Sequence, residues 1–359
     1  MFTCGELEKV FNNGENNKSI KENMDALCDL LENEIISSDA DEQTKKAMLE
    51  KLRKFCNTQT NIMLVGATGC GKSSTINALF SCEKSEEDGI AEIAKVGSKA
   101  DPETKDIEKY TIGNLVLWDT PGLGDGTEVD EHHAEIIKEL LQEKDEDGNA
   151  LIDLVLLILD GSTKDLGTSY KILREVIIPE LKEDTNRILV ALNQADIAMK
   201  TGRHWDYEAN EPDAVLVKFL EEKAASIKSR INEDTGLEIS PIYYCAGYTE
   251  ENGEEVQPYN LSKLLYYIVN ALPANKRVAV MEGINTDSDN FQHDDDEMDY
   301  SEEVKSSFSE PIDDIISDSV DCGAELGGLL LGLPGAVVGA VIGGTIGCIK
   351  SILDDIFKE

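Results

Sequence analysis

Between residues 60 and 275 short apolar runs alternate with longer stretches in which apolar residues return every three or four positions. Ile62-Met63-Leu64-Val65, residues 151–159, residues 187–193 and residues 239–245 are the apolar runs. Runs of this length read as strands, and the nearly unbroken one at 151–159 as a strand covered on both faces. Residues 106–118 alternate instead around Gly113-Asn114, which predicts a hairpin. Helical spacing falls at 168–182, 213–232 and 259–272. Strands and helices in alternation, with one hairpin, predict an α/β fold: a doubly wound, mostly parallel sheet.

The two ends read differently. Residues 1–58 form an N-terminal helical region, with apolar residues at helical spacing near 25–31 and 46–55. The expected α/β domain is 59–275, followed by an acidic linker over 276–321 and a Gly-rich helical tail over 322–359. The linker holds Asp294-Asp-Asp-Glu. Residues 326–349 carry no charge, and glycine stands at 335, 339, 343 and 347. At ~1.5 Å per residue such a helix would be long enough to cross a bilayer, and G-x-x-x-G spacing permits close helix approach. Pro334 interrupts it, and Lys350 and Lys358 are the only nearby basic residues. A single span, a hairpin entering from one side, a self-association element and a buried helix of the same domain all stay open.

Net charge is −39, which opposes contact with a phosphate backbone, so no direct nucleic-acid partner is expected. The eight cysteines form no C-x-x-C pair, and there are four histidines. Neither a zinc site nor a disulfide framework is expected, and the thiols point to a reducing compartment. The first residues carry no basic stretch followed by an apolar one. The expected location is cytoplasmic, at the inner face of the cell membrane if the tail engages lipid.

The chemistry begins at residues 66–73, Gly66-Ala67-Thr68-Gly69-Cys70-Gly71-Lys72-Ser73. This is a G-x-x-x-x-G-K-[ST] loop between a predicted strand and a predicted helix that continues through Ser74. Such a loop turns backbone N–H groups toward phosphates at a helix N-terminus. Lys72 is expected on the β- and γ-phosphates and Ser73 on Mg²⁺. Asp119-Thr120-Pro121-Gly122 follows the hairpin; Asp119 would serve the Mg²⁺ shell, and Gly122 would offer its N–H to a γ-phosphate. Asn193-Gln194-Ala195-Asp196 closes a later strand, and a carboxylate at 196 can accept from guanine N1 and N2. Cys245-Ala246-Gly247 follows the last strand, where a backbone N–H can meet guanine O6. All four lie at strand C-terminal ends, which places them at one crevice.

These motifs resemble those of Era-like GTPases of the translation-factor class, over roughly residues 60–275. The stretches DPET, LWDTPGLGDG, ILDGSTKDLGTSY and NQAD resemble a bacterial, prophage-associated branch. The resemblance implies a P-loop GTPase domain, GTP and GDP as ligands, Mg²⁺, and slow hydrolysis used as a switch. It also implies that Thr104 completes the Mg²⁺ shell. Alternatives are a nucleotide-gated protein that inserts into membrane or self-assembles into homo-oligomers, and a ribosome-assembly factor; no effector is named. Several positions depart from the family. Gln194 replaces the usual Lys, Gly247 stands where Lys is common, and Gly69 replaces the Asn of potassium-activated relatives. Leu123 stands where Ras-type GTPases carry the Gln that orients water. Asp125 is the nearest acid, and Arg203 and His204 are weaker candidates for action across a dimer.

Overall fold

The structure is a computed structural model that describes residues 20–37, 41–83, 90–91, 93–94, 107–124, 127–164, 166–181, 184–199, 204–249, 255–308, 353–354 and 356–357. Thr104, Asp125, Arg203 and the uncharged stretch 326–349 lie outside the described residues. Two helices come first, α1 (Ile20–Ser37) and α2 (Glu42–Cys56). The main strands are β1 (Thr60–Gly66), β2 (Glu108–Ile112), β3 (Leu115–Asp119), β4 (Leu154–Asp160), β5 (Ile188–Asn193) and β6 (Ile242–Tyr243). They form one six-stranded sheet in the order β6-β5-β4-β1-β3-β2. Every pairing is parallel except the β2–β3 hairpin at one edge. The doubly wound α/β expectation therefore holds.

Side chains alternate between two cores because successive Cβ atoms leave opposite faces of a strand. Ile62 and Leu64 of β1 face one cluster, and Met63 and Val65 the other. Both clusters are covered by helices. The first is sealed by α3 (Lys72–Leu79). The second is covered by α4 (Thr127–Gln142), which the apolar spacing did not announce. It is also covered by α5 (Gly167–Ile172), a π-helical turn (Leu173–Ile177), α6 (Ile178–Leu181) and α7 (Ala214–Thr235). Returning to the first face are α8 (Leu261–Ala271) and α9 (Ala274–Glu282). Asp213 caps α7 by accepting from the N–H groups of Val215 and Leu216, which satisfies donors a helix start leaves open.

Two expectations need correction. Residues 276–308, read as the start of an acidic linker, are folded into the domain. Glu282 of α9 accepts from the Asn114 N–H at 2.8 Å and so clamps the β2–β3 turn. Lys276 pairs with Asp153 at 3.0 Å. Two of the acids at 294–297, Asp295 and Glu297, neutralise a buried cation rather than solvating a tether. Lys263 has a side chain only 8% exposed and meets Asp295 at 2.6 Å and Glu297 at 2.7 Å. Residues 300–308 are helical, and Val304 and Phe308 are fully buried in the first core. Leu353, Ile356 and Phe357 join that core, with Phe357 edge-on to Phe291 at 5.2 Å and Lys305 paired with Asp354 at 2.7 Å. Second, Cys28 of α1 and Cys56 of α2 are joined in a disulfide, with Cα atoms 6.3 Å apart. Local spacing hid this pair, because 28 residues separate them and only the helical hairpin brings them together.

The domain's true extent can be checked by chain truncation. Ending the protein after Asn275 would remove Val278, Val280, Met281, Phe291, Val304 and Phe308 from the core. That chain is expected to lose cooperative urea unfolding, while Phe308→Ala in the full chain costs about 3–5 kcal/mol in the same measurement.

Burial also pushes the Asp294 carboxyl up to about 6, against the Ser262 hydroxyl and the Ser262 and Lys263 N–H groups that favour its charge. The folded state therefore holds a proton that the unfolded chain releases nearer pH 4. Stability is expected to fall as pH rises through the window from about 4 to 6, by up to about 1.4 kcal/mol per pH unit. Asp294→Asn should flatten that slope in a pH series of thermal melts.

Candidate functional site

The phosphate loop joins β1 to α3. Gly71 has φ +91°, and a Cβ there would lie 2.2 Å from the Asn193 side-chain nitrogen. Glycine is thus required on both conformational and steric grounds. Lys72 is 7% exposed, and its ammonium rests on the carbonyls of Gly66 at 3.3 Å and Ala67 at 3.4 Å. Cys70 is buried, and desolvation pushes its thiol up, so it is a packing residue rather than a nucleophile. Ser73 follows Lys72 in the first turn of α3, and Ser74 lies beside it, half-buried.

Asp119 ends β3 next to the loop. Its Oδ2 accepts from the Ser73 hydroxyl at 2.7 Å. Its Oδ1 is buried with no partner. Burial raises the carboxyl above its usual range, with Lys72 and the Ser73 hydrogen bond pulling the other way. A hydroxyl oxygen beside an unpaired carboxylate oxygen is the donor set that a hard divalent cation such as Mg²⁺ takes, so the residues fit that ion. Gly122 packs on the loop so closely that a Cβ would lie 2.3 Å from the Thr68 hydroxyl. Leu123 locks this contact: Thr68 N–H donates to its carbonyl at 2.9 Å, and its own N–H donates to Gly66. The Leu123 side chain is 1% exposed in the second core, so it points away from the crevice.

Asn193 ends β5 and ties the loops together. Its Nδ2 donates to the Cys70 carbonyl, and its Oδ1 accepts from the Ala246 N–H, each at 3.0 Å. Within Cys245-Ala246-Gly247, expected to offer a backbone N–H to guanine O6, the Ala246 N–H is held by Asn193. Gln194 adopts φ +61° and donates from Nε2 to the Gly69 carbonyl at 3.0 Å. Gln194 thus joins the loop after β5 to the phosphate loop through an uncharged bond. Asp196 is 1% exposed, with Oδ1 buried and unpartnered. Burial raises its carboxyl, opposed by hydrogen bonds from Cys245 and Tyr248. Gly247 follows at φ +73°.

The structure thus brings residues 66–74, Asp119, Gly122, Asn193, Gln194, Asp196, Ala246 and Gly247 to one end of the sheet; Thr104 lies outside the described residues. Two neighbours had no signal in the pattern. His133 of α4 is buried, with Nδ1 2.9 Å from the Gly122 carbonyl. Tyr248 places its hydroxyl 3.2 Å from Asp196 Oδ2. A lone His in a helix and a Tyr in a loop look like many others until the fold assembles them. Among the described residues, no cluster of His, Cys, Asp and Glu could hold a metal on its own.

This arrangement is consistent with a P-loop GTPase α/β fold. Residues 61–194 match the family described as 50S ribosome-binding GTPase. The chain is similar to Interferon-inducible GTPase 1 of Mus musculus, 35% identical over 81 residues, or 23% of this chain and 19% of that protein. It is also similar to the uncharacterized protein YfjP of Escherichia coli (strain K12), 26% identical over 156 residues, or 43% of this chain and 48% of that one. These matches span about a fifth and about half of the relatives' lengths. Among solved structures, a point mutant of Aquifex aeolicus Era bound to GDP.AlF4- aligns at 20% identity and TM-score 0.36, covering 60% of this chain and 57% of that one.

The two unpartnered carboxylate oxygens cost stability when nothing binds them. Asp119 ionises less readily in the fold than in the unfolded chain, so its charge opposes folding at neutral pH. Asp119→Asn is expected to raise the thermal midpoint of ligand-free protein, on the order of 1 kcal/mol in stability. Differential scanning calorimetry at pH 7 reads this directly.

Proposed function

We propose that this protein binds GTP and GDP with Mg²⁺ and hydrolyses GTP slowly, as a switch of the Era-like kind. One observation carries the reading: two buried carboxylates at one crevice, Asp119 and Asp196, each keep an unpaired oxygen. The first sits beside the Ser73 hydroxyl and faces the phosphate loop. The second lies at the loop that would read a base. Kinship to a prophage-associated branch rests on sequence stretches alone.

In this reading Lys72 leaves the loop carbonyls to meet the β- and γ-phosphates, and backbone N–H groups of residues 69–74 surround them. Ser73 and Asp119 hold the Mg²⁺, with Thr104 as the further ligand. When bound, that ion neutralises charge developing on the phosphates. Asp196 accepts from guanine N1 and N2, while Asn193 and Gln194 keep the base loop in register with the phosphate loop. Gly122 offers its N–H to the γ-phosphate, and His133 holds that peptide from behind. Leu123, turned into the core, orients no water, so basal turnover is low.

A second reading is favoured by the chain ends. Lys305 pairs with Asp354 at 2.7 Å, so the described residues on either side of 309–352 meet at one place on the domain. Contact with a membrane or with a second copy through 326–349 would then be made from one side, under nucleotide control. No helix among the described residues is long and apolar enough to cross a membrane.

Titration with a fluorescent guanine nucleotide tests the site. Lys72→Ala should weaken binding by at least roughly 100-fold, since it removes a charge set against the phosphates. ATP should not compete, and Asp196→Asn should move preference toward xanthine nucleotides. Equal competition by ATP would sink the guanine reading. Unchanged binding by Lys72→Ala would sink the phosphate site.

A further inference from the structure

The guanine-reading pocket is shut. A carboxylate that must offer both oxygens to a base should be reachable from solvent. Asp196 is 1% exposed, and its Oδ1 is buried without a partner. The neighbouring Ala246 N–H is bonded to Asn193. Something has to move before a base can enter. Asp196 cannot, because it lies in a 3₁₀ turn (Ala195–Ile197) whose first N–H donates to the Tyr244 carbonyl inside the sheet.

Tyr248 is the group free to leave. Its hydroxyl donates to Asp196 Oδ2 at 3.2 Å, yet the residue as a whole is 41% exposed. It stands on a two-residue strand, Tyr248–Thr249, paired only with Glu255–Val256 and outside the main sheet. The chain just before it is fixed. Cys245 and Tyr259 exchange both backbone hydrogen bonds, at 3.0 and 2.9 Å. Between the fixed point and the ribbon lies Gly247, at φ +73°, a backbone state glycine visits at little cost. A Cβ at 247 would lie 2.8 Å from the Val256 carbonyl, so only glycine lets the ribbon fold back this tightly.

We propose that Tyr248 is a gate on the base pocket: hinged at Gly247, its hydroxyl occupies the guanine-binding edge of Asp196 until an entering guanine displaces it. The proposal deepens the guanine reading and rests on it. A tyrosine donor satisfies one Asp196 oxygen and leaves the other unpaired, whereas guanine N1 and N2 satisfy both, so the base outcompetes the gate. A base without that donor pair gains no such advantage. The gate therefore discriminates among bases, and it limits the rate of entry because binding draws on the open fraction alone.

Stopped-flow mixing of the full-length protein with fluorescently labelled GDP separates the outcomes. In the native protein the observed association rate should level off at high nucleotide, at the opening rate. Tyr248→Phe should associate roughly 5–10-fold faster at low nucleotide, as expected for losing one hydrogen bond to a carboxylate, with dissociation changed less than about two-fold. Tyr248→Ala should associate at least as fast as Tyr248→Phe. A Tyr248→Phe rate within about two-fold of native, or below it, overturns the gate. Acceleration by Tyr248→Ala alone puts the obstruction in the ring and overturns the hydrogen-bonded gate. Failure of the guanine reading looks different: the native protein would take up no labelled GDP, or Asp196→Asn would keep its preference for guanine over xanthine nucleotides.

Discussion

The side-chain amide of Asn193 is the contact on which the site depends. It lies at the end of β5, yet it reaches the phosphate loop through the Cys70 carbonyl and the base loop through the Ala246 N–H. Three segments far apart in sequence are thereby held at fixed spacing by one planar group with a donor and an acceptor at opposite corners. No charged or purely donating side chain could make both bonds. Gly71 is the necessary complement, since any side chain there would occupy the space of the amide.

Around that tie the domain holds charge in places where charge is expensive. Lys72, Asp119 and Asp196 are all nearly inaccessible to solvent. Lys72 is satisfied by backbone carbonyls and Asp119 by half of what it could accept. Such partial satisfaction destabilises a fold unless a ligand completes it, which is the usual mark of a binding site rather than a structural network. The large apolar clusters on both sheet faces supply the stability that this arrangement draws upon. The neutral Gln194 fits the same economy of charge. The neutral amide keeps the bond to Gly69 without adding another cation to a crowded loop.

The C-terminal portion is integral to the domain. Lys263 collects Asp295 and Glu297, and its ammonium also lies over the rings of Tyr243 and Tyr300. An ammonium buried this deeply must be paired, so Asp295 and Glu297 are structural where composition alone made them look like solvating charge. Phe291, Phe308 and Phe357 then close the first core.

Much was legible in the sequence because it is local. The loop at 66–73 is a contiguous motif whose chemistry fixes its residue types. The strand at β4 is apolar on both faces, and α7 keeps a helical period between an Asp cap and a terminal glycine. The positions of Asp119, Asn193 and Asp196 followed from strands whose ends were readable. Tertiary structure decided everything that depends on what lies across the fold. It alone brings Cys28 to Cys56, His133 to Gly122 and Tyr248 to Asp196. It turns Asp295 and Glu297 into partners for a lysine some thirty residues earlier. A pattern of polar and apolar residues records whether a side chain is buried, and only the packed chain records against what.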